Sequence, residues 1–231
     1  MGRRDVFRRV EKKYTVTTAQ MERLKESFSH ILRPDVYPSY TLCNVYYDTE
    51  QDELIRRSIE KPDFKEKLRL RSYGVPTDDD AVFLEIKRKY DGTVYKRRIC
   101  ATHRELVSYL SGGRLEICGQ IIDEVEYFRS VYRLMPKMFI AYDRCAFCGK
   151  EDEGLRVTFD SDIRYRTKNV TLLYDGGERL LEGYLHVMEI KANGAMPYEM
   201  AKILSENYIY PTPFSKYGSA YMKEYIKERI K

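Results

Sequence analysis

Lys67-Leu68-Arg69-Leu70-Arg71 makes every second side chain a cation and fills the positions between with leucine. Successive side chains of an extended chain point to opposite faces, so the three cations share one side and the leucines the other. Four more stretches repeat the pattern. Val82-Phe83-Leu84-Glu85-Ile86-Lys87 sets Leu84 and Ile86 opposite Glu85 and Lys87. Leu155-Arg156-Val157-Thr158-Phe159-Asp160 and Met188-Glu189-Ile190-Lys191 alternate in the same way, and Glu11 and Lys13 stand opposite Val10 and Tyr14. One such strand reads as the wet face of an antiparallel sheet. Five that share a narrow vocabulary of cations and carboxylates read differently.

Helical segments supply the reason. Thr17 and Gln20 form a capping box that opens a helix running to Leu32, with Met21, Leu24, Phe28 and Ile31 on one face. Thr102 and Glu105 open a second helix through Leu106 and Leu110, and residues 120–134 set Ile121, Ile122, Val125, Phe128 and Tyr132 at helical spacing. Two more helices follow Pro197 and Ser215. These helices need apolar sheet to cover, and the Leu, Ile, Val and Phe faces provide it. If the covered face is the outside, the charged faces turn inward. The expected fold is therefore α+β, a closed antiparallel β-barrel with flanking helices, closure also removing exposed edges.

The chain has 231 residues and a formal charge of +5, which suits a single folded domain spanning residues 1–231. No stretch reaches the roughly 20 apolar residues of a membrane helix. The start, Met1-Gly2-Arg3-Arg4-Asp5-Val6, carries no secretory run and no myristoylation signal, so direct membrane insertion is not expected and the cytoplasm is the default compartment. The five cysteines are read as free thiols. Cys145 and Cys148 have CxxC spacing but no second ligand pair, and they are placed in a hairpin connection between the Arg144 and Arg156 strands.

Buried lysines and arginines cannot all stay charged without a counter-anion, and Glu11, Glu85, Asp160 and Glu189 offset only part of them. The natural occupant is a polyanion. Arg69 and Arg71, at i and i+2, stand about 7 Å apart, a reach suited to neighbouring phosphoryl groups. Nucleic acid fits less well, because the cations alternate with aliphatics rather than stacking aromatics. A carboxylate amid such cations suits Mg²⁺ or Mn²⁺, which take one or two protein carboxylates and complete their shell with water and phosphate. Glu189 is the first choice as metal ligand, with pairing to a lysine as the alternative.

In order along the chain, Arg9-x-Glu11-x-Lys13-Tyr14, Tyr46-Tyr47-Asp48, Leu68-Arg69-Leu70-Arg71-Ser72-Tyr73-Gly74, Phe83-Leu84-Glu85-Ile86-Lys87, Tyr142-Asp143-Arg144-x-Ala146-Phe147, Leu155 to Asp160, Met188 to Lys191 and Phe214-Ser215-Lys216-Tyr217 resemble the VTC (vacuolar transporter chaperone) domain of the triphosphate tunnel metalloenzymes, related to CYTH proteins. The resemblance implies a tunnel of about eight antiparallel strands. It implies phosphate ligands at Lys13, Arg69, Arg71, Lys87, Lys96, Arg144, Arg156 and Lys191, with Ser215 and Lys216 on the last helix, residues 215–231, at one tunnel mouth. Glu189 would be the metal ligand. Lys96 is flanked by Arg97 and Arg98, so its register decides whether it takes part. Arg9 stands where CYTH phosphatases have a glutamate, which weighs against two-metal hydrolysis.

The family's polymerases transfer the γ-phosphate of ATP to polyphosphate with a divalent metal, and that is the leading expectation here. The alternatives are an inorganic or nucleoside triphosphatase and a non-catalytic polyphosphate binder. The added sensing domain and membrane helices of those polymerases are not recognised in this sequence, so a separate membrane partner is one expected arrangement.

Overall fold

The computed structural model describes residues 9–60, 62–90 and 93–230, without the side chains of residue 9 and residues 228–230. Residues 1–8, on which the N-terminal expectation rests, and the Arg9 side chain lie outside the described residues. The elements run β1 (Arg9–Thr17), α1 (Thr18–Ser27), β2 (Leu32–Asp48), α2 (Glu53–Ile59), β3 (Phe64–Tyr73), β4 (Ala81–Tyr90), β5 (Thr93–Thr102), α3 (His103–Leu110), α4 (Gln120–Val131), β6 (Met135–Gly149), β7 (Arg156–Arg166), β8 (Glu178–Arg179), β9 (Leu185–Asn193), α5 (Tyr198–Glu206) and α6 (Lys216–Ile230).

The strands join in the order β1-β9-β7-β6-β2-β3-β4-β5, with β8 paired to β7. Mixed α+β architecture on one large antiparallel sheet is thus as expected, but closure is not. The order is an open path, and among the described residues no ladder joins β1 to β5. The sequence shows how an open edge is tolerated: β5 exposes Val94 to Arg98, including Lys96, Arg97 and Arg98, and charge on an edge strand discourages further pairing.

The chain forms two compact units. The first comprises Met1–Tyr40, Tyr142–Ile163 and Leu181–Phe214; the second comprises Thr41–Ala141, Arg164–Leu180 and Ser215–Lys231. In the first, β9 pairs antiparallel with β1 and with β7. Tyr14, Val16, Val157, Phe159, Met188 and Ile190 form the apolar side, covered by Met21 and Leu24 of α1, Phe28 just after it, and Met200 and Leu204 of α5. In the second, β2, β3, β4 and β5 pair in sequence, all antiparallel. Val45, Leu68, Leu70, Val82, Leu84 and Ile86 pack with Leu106 and Tyr109 of α3 and Ile122, Val125 and Phe128 of α4. Each fully buried aliphatic of this kind contributes about 1.5–3 kcal/mol. In both units, then, helices cover the leucine-type face, as the alternation requires.

Both predicted capping boxes form, at Thr17–Gln20 and Thr102–Glu105. The first helix is shorter than its apolar spacing suggests: it ends at Ser27, and Leu32 already opens β2. Cys145 and Cys148 are not in a hairpin connection. They lie inside β6, three residues apart and so on opposite faces, which prevents the pair from acting together. Helix α2 carried no strong sequence signal and is held from outside. Asp48, fully buried, accepts hydrogen bonds from the backbone N–H groups of Thr49, Leu54 and Ile55 at 2.8, 2.9 and 2.9 Å and from the Tyr217 hydroxyl at 3.1 Å. It thereby satisfies the N-terminal donors of α2 and ties α6 to β2.

Asp48→Ala strands those donors and is expected to cost roughly 2–4 kcal/mol, a fall in Tm of several degrees, with Asp48→Asn costing less because one acceptor remains. Equal and negligible losses for the two variants in thermal melts would contradict this role.

Candidate functional site

The faces that the helices leave uncovered carry the charge. In the first unit, the β1–β9 register sets Glu11 opposite Lys191 and Lys13 opposite Glu189. The four form a quartet: Lys13 Nζ lies 3.3 Å from Glu11 and 3.9 Å from Glu189, while Lys191 contacts Glu189 and lies 3.9 Å from Glu11. Lys13 also donates to the Phe214 carbonyl at 3.3 Å. On β7 the same side holds Arg156, Thr158 and Asp160, with Arg156 opposite Lys191 and Thr158 opposite Glu189. Arg144 of β6 forks onto Asp160 with bonds of 2.6 and 2.8 Å, and Asp160 is fully buried. Arg156 reaches Asp35 at 2.9 Å and the Tyr40 hydroxyl at 3.4 Å through Nη2. Burial works against the Glu189 charge, but Lys191, Lys13 and Arg144 outweigh it and hold the carboxyl at about 2. This cluster is close to neutral: each basic group stands against a carboxylate.

The second unit is different. Its pairing places Lys67, Lys87 and Lys96 side by side across β3, β4 and β5. The next row runs Tyr46, Arg69, Glu85, Arg98, and the one after that begins Asn44, Arg71, Phe83. The register therefore answers the question at Lys96: Lys96 and Arg98 lie on the charged side, while Arg97 lies on the other and contacts Glu124 at 3.6 Å. Glu85, 2% exposed, is shared by three cations, with Arg69 at 2.7 Å, Arg71 at 3.6 Å and Lys96 at 2.5 Å. Arg71 is steadied by Asn44 at 2.9 Å and Arg69 by the Tyr46 hydroxyl at 3.1 Å. Tyr217 of α6 stacks on Tyr46 at 4.5 Å, and Ser215, at the start of that helix, accepts from Lys67 at 3.3 Å. Lys216 opens the helix.

Two acidities register the imbalance. Burial raises the Glu85 carboxyl, yet Arg69, Arg71 and Lys96 bring it to about 2. Burial likewise raises the Tyr46 phenol, and Arg69, Lys67 and Arg71 still pull it from 10.0 down to about 8. A buried phenol held below its ordinary value lies in the positive field of the cations beside it.

The expected site residues divide between the units: Lys13, Arg144, Arg156, Glu189 and Lys191 in the first cluster, Arg69, Arg71, Lys87, Lys96 and Ser215 in the second, with Lys216 at the start of α6 in the second unit. The sequence reading did not assign parts to Asn44, Tyr46, Asp35, Tyr40 and Thr158. Asn44, Tyr46 and Asp48 do alternate at i and i+2, a usable signal hidden by their mixed chemistry. Asp35 and Tyr40 lie too far from Arg156 in sequence for spacing to link them.

Mg²⁺ and Mn²⁺ ask for hard oxygen donors, a carboxylate or two with water and phosphate completing the shell. Glu11 and Glu189, gathered by the same two lysines, fit that requirement. Among the described residues no cluster of three or more His, Cys, Asp or Glu forms a dedicated metal cage, so an ion here would depend on water and substrate oxygens.

The Glu85 carboxyl lies below its ordinary 4.5, so it stabilises the fold above that pH, and the contribution drains as pH falls toward about 2. Its full size is about 3 kcal/mol. In melts between pH 6 and pH 3, Glu85→Gln should start lower and lose less on acidification than the parent. Parallel curves for the two would rule out this anchor.

The family model described as the VTC domain matches residues 8–225. Vacuolar transporter chaperone complex subunit 4 of Trypanosoma brucei brucei is 27% identical over 218 residues, covering 77% of this chain and 27% of the relative. The protein of the same description from Trypanosoma cruzi is 24% identical over 221 residues, with the same shares. The chain spans about a quarter of the length of these relatives. Among solved structures, a candidate adenylate cyclase from Bacillus halodurans superposes with a TM-score of 0.55 at 15% identity, covering 89% of this chain and 92% of that one. HpAC1 from Hippeastrum, described as a candidate adenylyl cyclase with a dominant triphosphatase activity, gives 0.50 at 15% identity, covering 90% and 93%. At these identities the likeness to the two structures is one of fold. With the match running along nearly all of its length, over the alternating strands that build both clusters, the chain belongs to the VTC domain family.

Proposed function

We propose that residues 1–231 act as one polyphosphate-polymerase-like domain, which binds ATP, triphosphate or polyphosphate through its basic side chains and transfers the γ-phosphate of ATP to a polyphosphate end. The observation that carries this reading is the row Lys67, Lys87, Lys96 beside Arg69 and Arg71, with Glu85 as the carboxylate against them. Like charges set directly across neighbouring strands destabilise a sheet unless an anion joins them. The family and its relatives point to the same chemistry: the trypanosomal proteins are vacuolar transporter chaperone subunits, and the Hippeastrum protein is described by its triphosphatase activity.

In this reading the second cluster neutralises phosphoryl oxygens, the guanidinium forks of Arg69 and Arg71 gripping two oxygens and the lysines acting as point charges. Arg144, Arg156, Lys13 and Lys191 do the same in the first unit. Ser215 and Lys216 hold the phosphate from the start of α6. Glu189, with Glu11, would hold Mn²⁺ or Mg²⁺, which supplies Lewis-acid charge neutralisation at phosphate oxygens. A terminal phosphate oxygen of the acceptor forms the new P–O bond to the γ-phosphorus. The bond to the bridging oxygen breaks, and ADP leaves with the electron pair. The acceptor is already ionised, so no general base is needed, and positioning and charge carry the rate.

Hydrolysis is the second reading, favoured by Glu11 standing beside Glu189, since two carboxylates can serve more than one ion. By analogy with the named complex subunits, a membrane-bound partner subunit is expected, and the domain itself is assigned to the cytoplasmic side. No helix among the described residues is long and apolar enough to cross a membrane.

Incubation with ATP and Mn²⁺, followed by a polyphosphate-stained gel and a phosphate assay, separates the readings. A ladder is the expected result. Phosphate release without a ladder makes the chain a hydrolase, and neither product together with a triphosphate-induced rise in Tm makes it a binder. Glu189→Ala should lower turnover at least 100-fold, on the order of one lost transition-state contact or more, while retaining the triphosphate-induced rise in Tm. Turnover unchanged in that variant would remove Glu189 from the metal site.

A further inference from the structure

Two buried polar atoms of the first unit have no partner among the described residues, and both belong to β7: Thr158 Oγ1 and Arg156 Nε. Thr158 is 5% exposed. As i and i+2 on a strand, the two share a face, the same face that presents Asp160. Thr158 stands in the row Thr158, Glu189, Lys13, and Arg156 in the row Arg156, Lys191, Glu11. They therefore flank the carboxylate assigned to the metal and one of the lysines assigned to phosphate.

Their chemistry restricts what is missing. An Arg Nε–H can only donate, and a Thr hydroxyl donates or accepts. The surrounding acceptors are already engaged: Glu11 and Glu189 by Lys13 and Lys191, and Asp160 by Arg144. The Arg156 guanidinium is tethered at its Nη2 tip by Asp35 and Tyr40, which leaves Nε–H unanswered rather than free to swing to a new partner. Valine would fill the Thr158 position with the same shape and strand preference and no polar atom to bury. A hydroxyl kept there without an acceptor calls for one from outside the chain.

We infer that Thr158 Oγ1 and Arg156 Nε are a paired donor site for a condensed phosphate, each donating a hydrogen bond to a phosphoryl oxygen. The inference rests on the phosphate reading above and adds to it an uncharged ligand that the basic pattern does not reveal. The two positions are about 7 Å apart along the strand, so a phosphate chain reaches both where a single orthophosphate does not.

The test uses thermal melts of the whole chain in chelator-treated buffer, with and without sodium triphosphate, for the parent, Thr158→Val and Thr158→Ser. Without ligand, Thr158→Val should melt at the parent temperature or above, because it removes an unpartnered hydroxyl and keeps the volume. With ligand it should bind triphosphate about tenfold more weakly, the scale of a charge-assisted hydrogen bond, while Thr158→Ser keeps the parent affinity. Orthophosphate should show no such difference among the three. A Thr158→Val protein that melts lower without ligand and binds triphosphate as the parent does would make the hydroxyl structural and overturn the assignment. So would a Thr158→Ser protein as weak as Thr158→Val. A parent protein that triphosphate does not stabilise at all would instead defeat the phosphate reading itself, and this inference with it.

Discussion

Like charge set across neighbouring strands is the constraint on which the rest depends. Lys67, Lys87 and Lys96 are brought side by side by backbone pairing, which the sheet cannot relax without losing its ladder. The leucines and isoleucines between them fix that register, because a slip of one residue would turn Leu68, Leu70, Leu84 and Ile86 out of the helix-covered core. The apolar side of each strand thus enforces the electrostatic strain on its other side. A ligand that relieves the strain binds with part of its free energy already stored in the fold.

The two units divide the chemistry. In the first, acids and bases match: Lys13 and Lys191 against Glu11 and Glu189, Arg144 against Asp160, Arg156 against Asp35. Such ion pairs are weak sources of stability, since desolvation offsets most of the attraction. Their value is positional: the lysines hold Glu11 and Glu189 in fixed places, where the proposed divalent cation would meet them. In the second, Glu85 is shared by Arg69, Arg71 and Lys96, while Asp48 is committed to α2 and Tyr217. The gathering of basic side chains expected from the sequence is therefore evident around Glu85, whereas the first cluster sets each cation against a carboxylate.

How much of this was legible follows from which signals are local. Period-two alternation located β1, β3, β4, β7 and β9 and divided their faces, and capping boxes located α1 and α3. Helix α2 was silent, because its N-cap residue Asp52 makes no capping bond and the acceptor for its first N–H groups is Asp48, contributed by a strand. The open edge was also out of reach: alternation says which way side chains point, not whether the last strand finds the first. Most of the candidate site was visible as basic residues. Asn44, Tyr46 and Thr158 were not, since their polarity gives no charge pattern to follow and their roles arise only from the strands beside them.

The central claim is that the cations of the second cluster set up a positive field that an added anion would lower, and the Tyr46 phenol reports that field from within. Ultraviolet difference titration, with Tyr46→Phe as the control, should show one tyrosine ionising at about 8, absent from the variant, and moving upward when triphosphate is bound. No tyrosine titrating below the ordinary range, or one at about 8 that triphosphate leaves in place, would contradict the account.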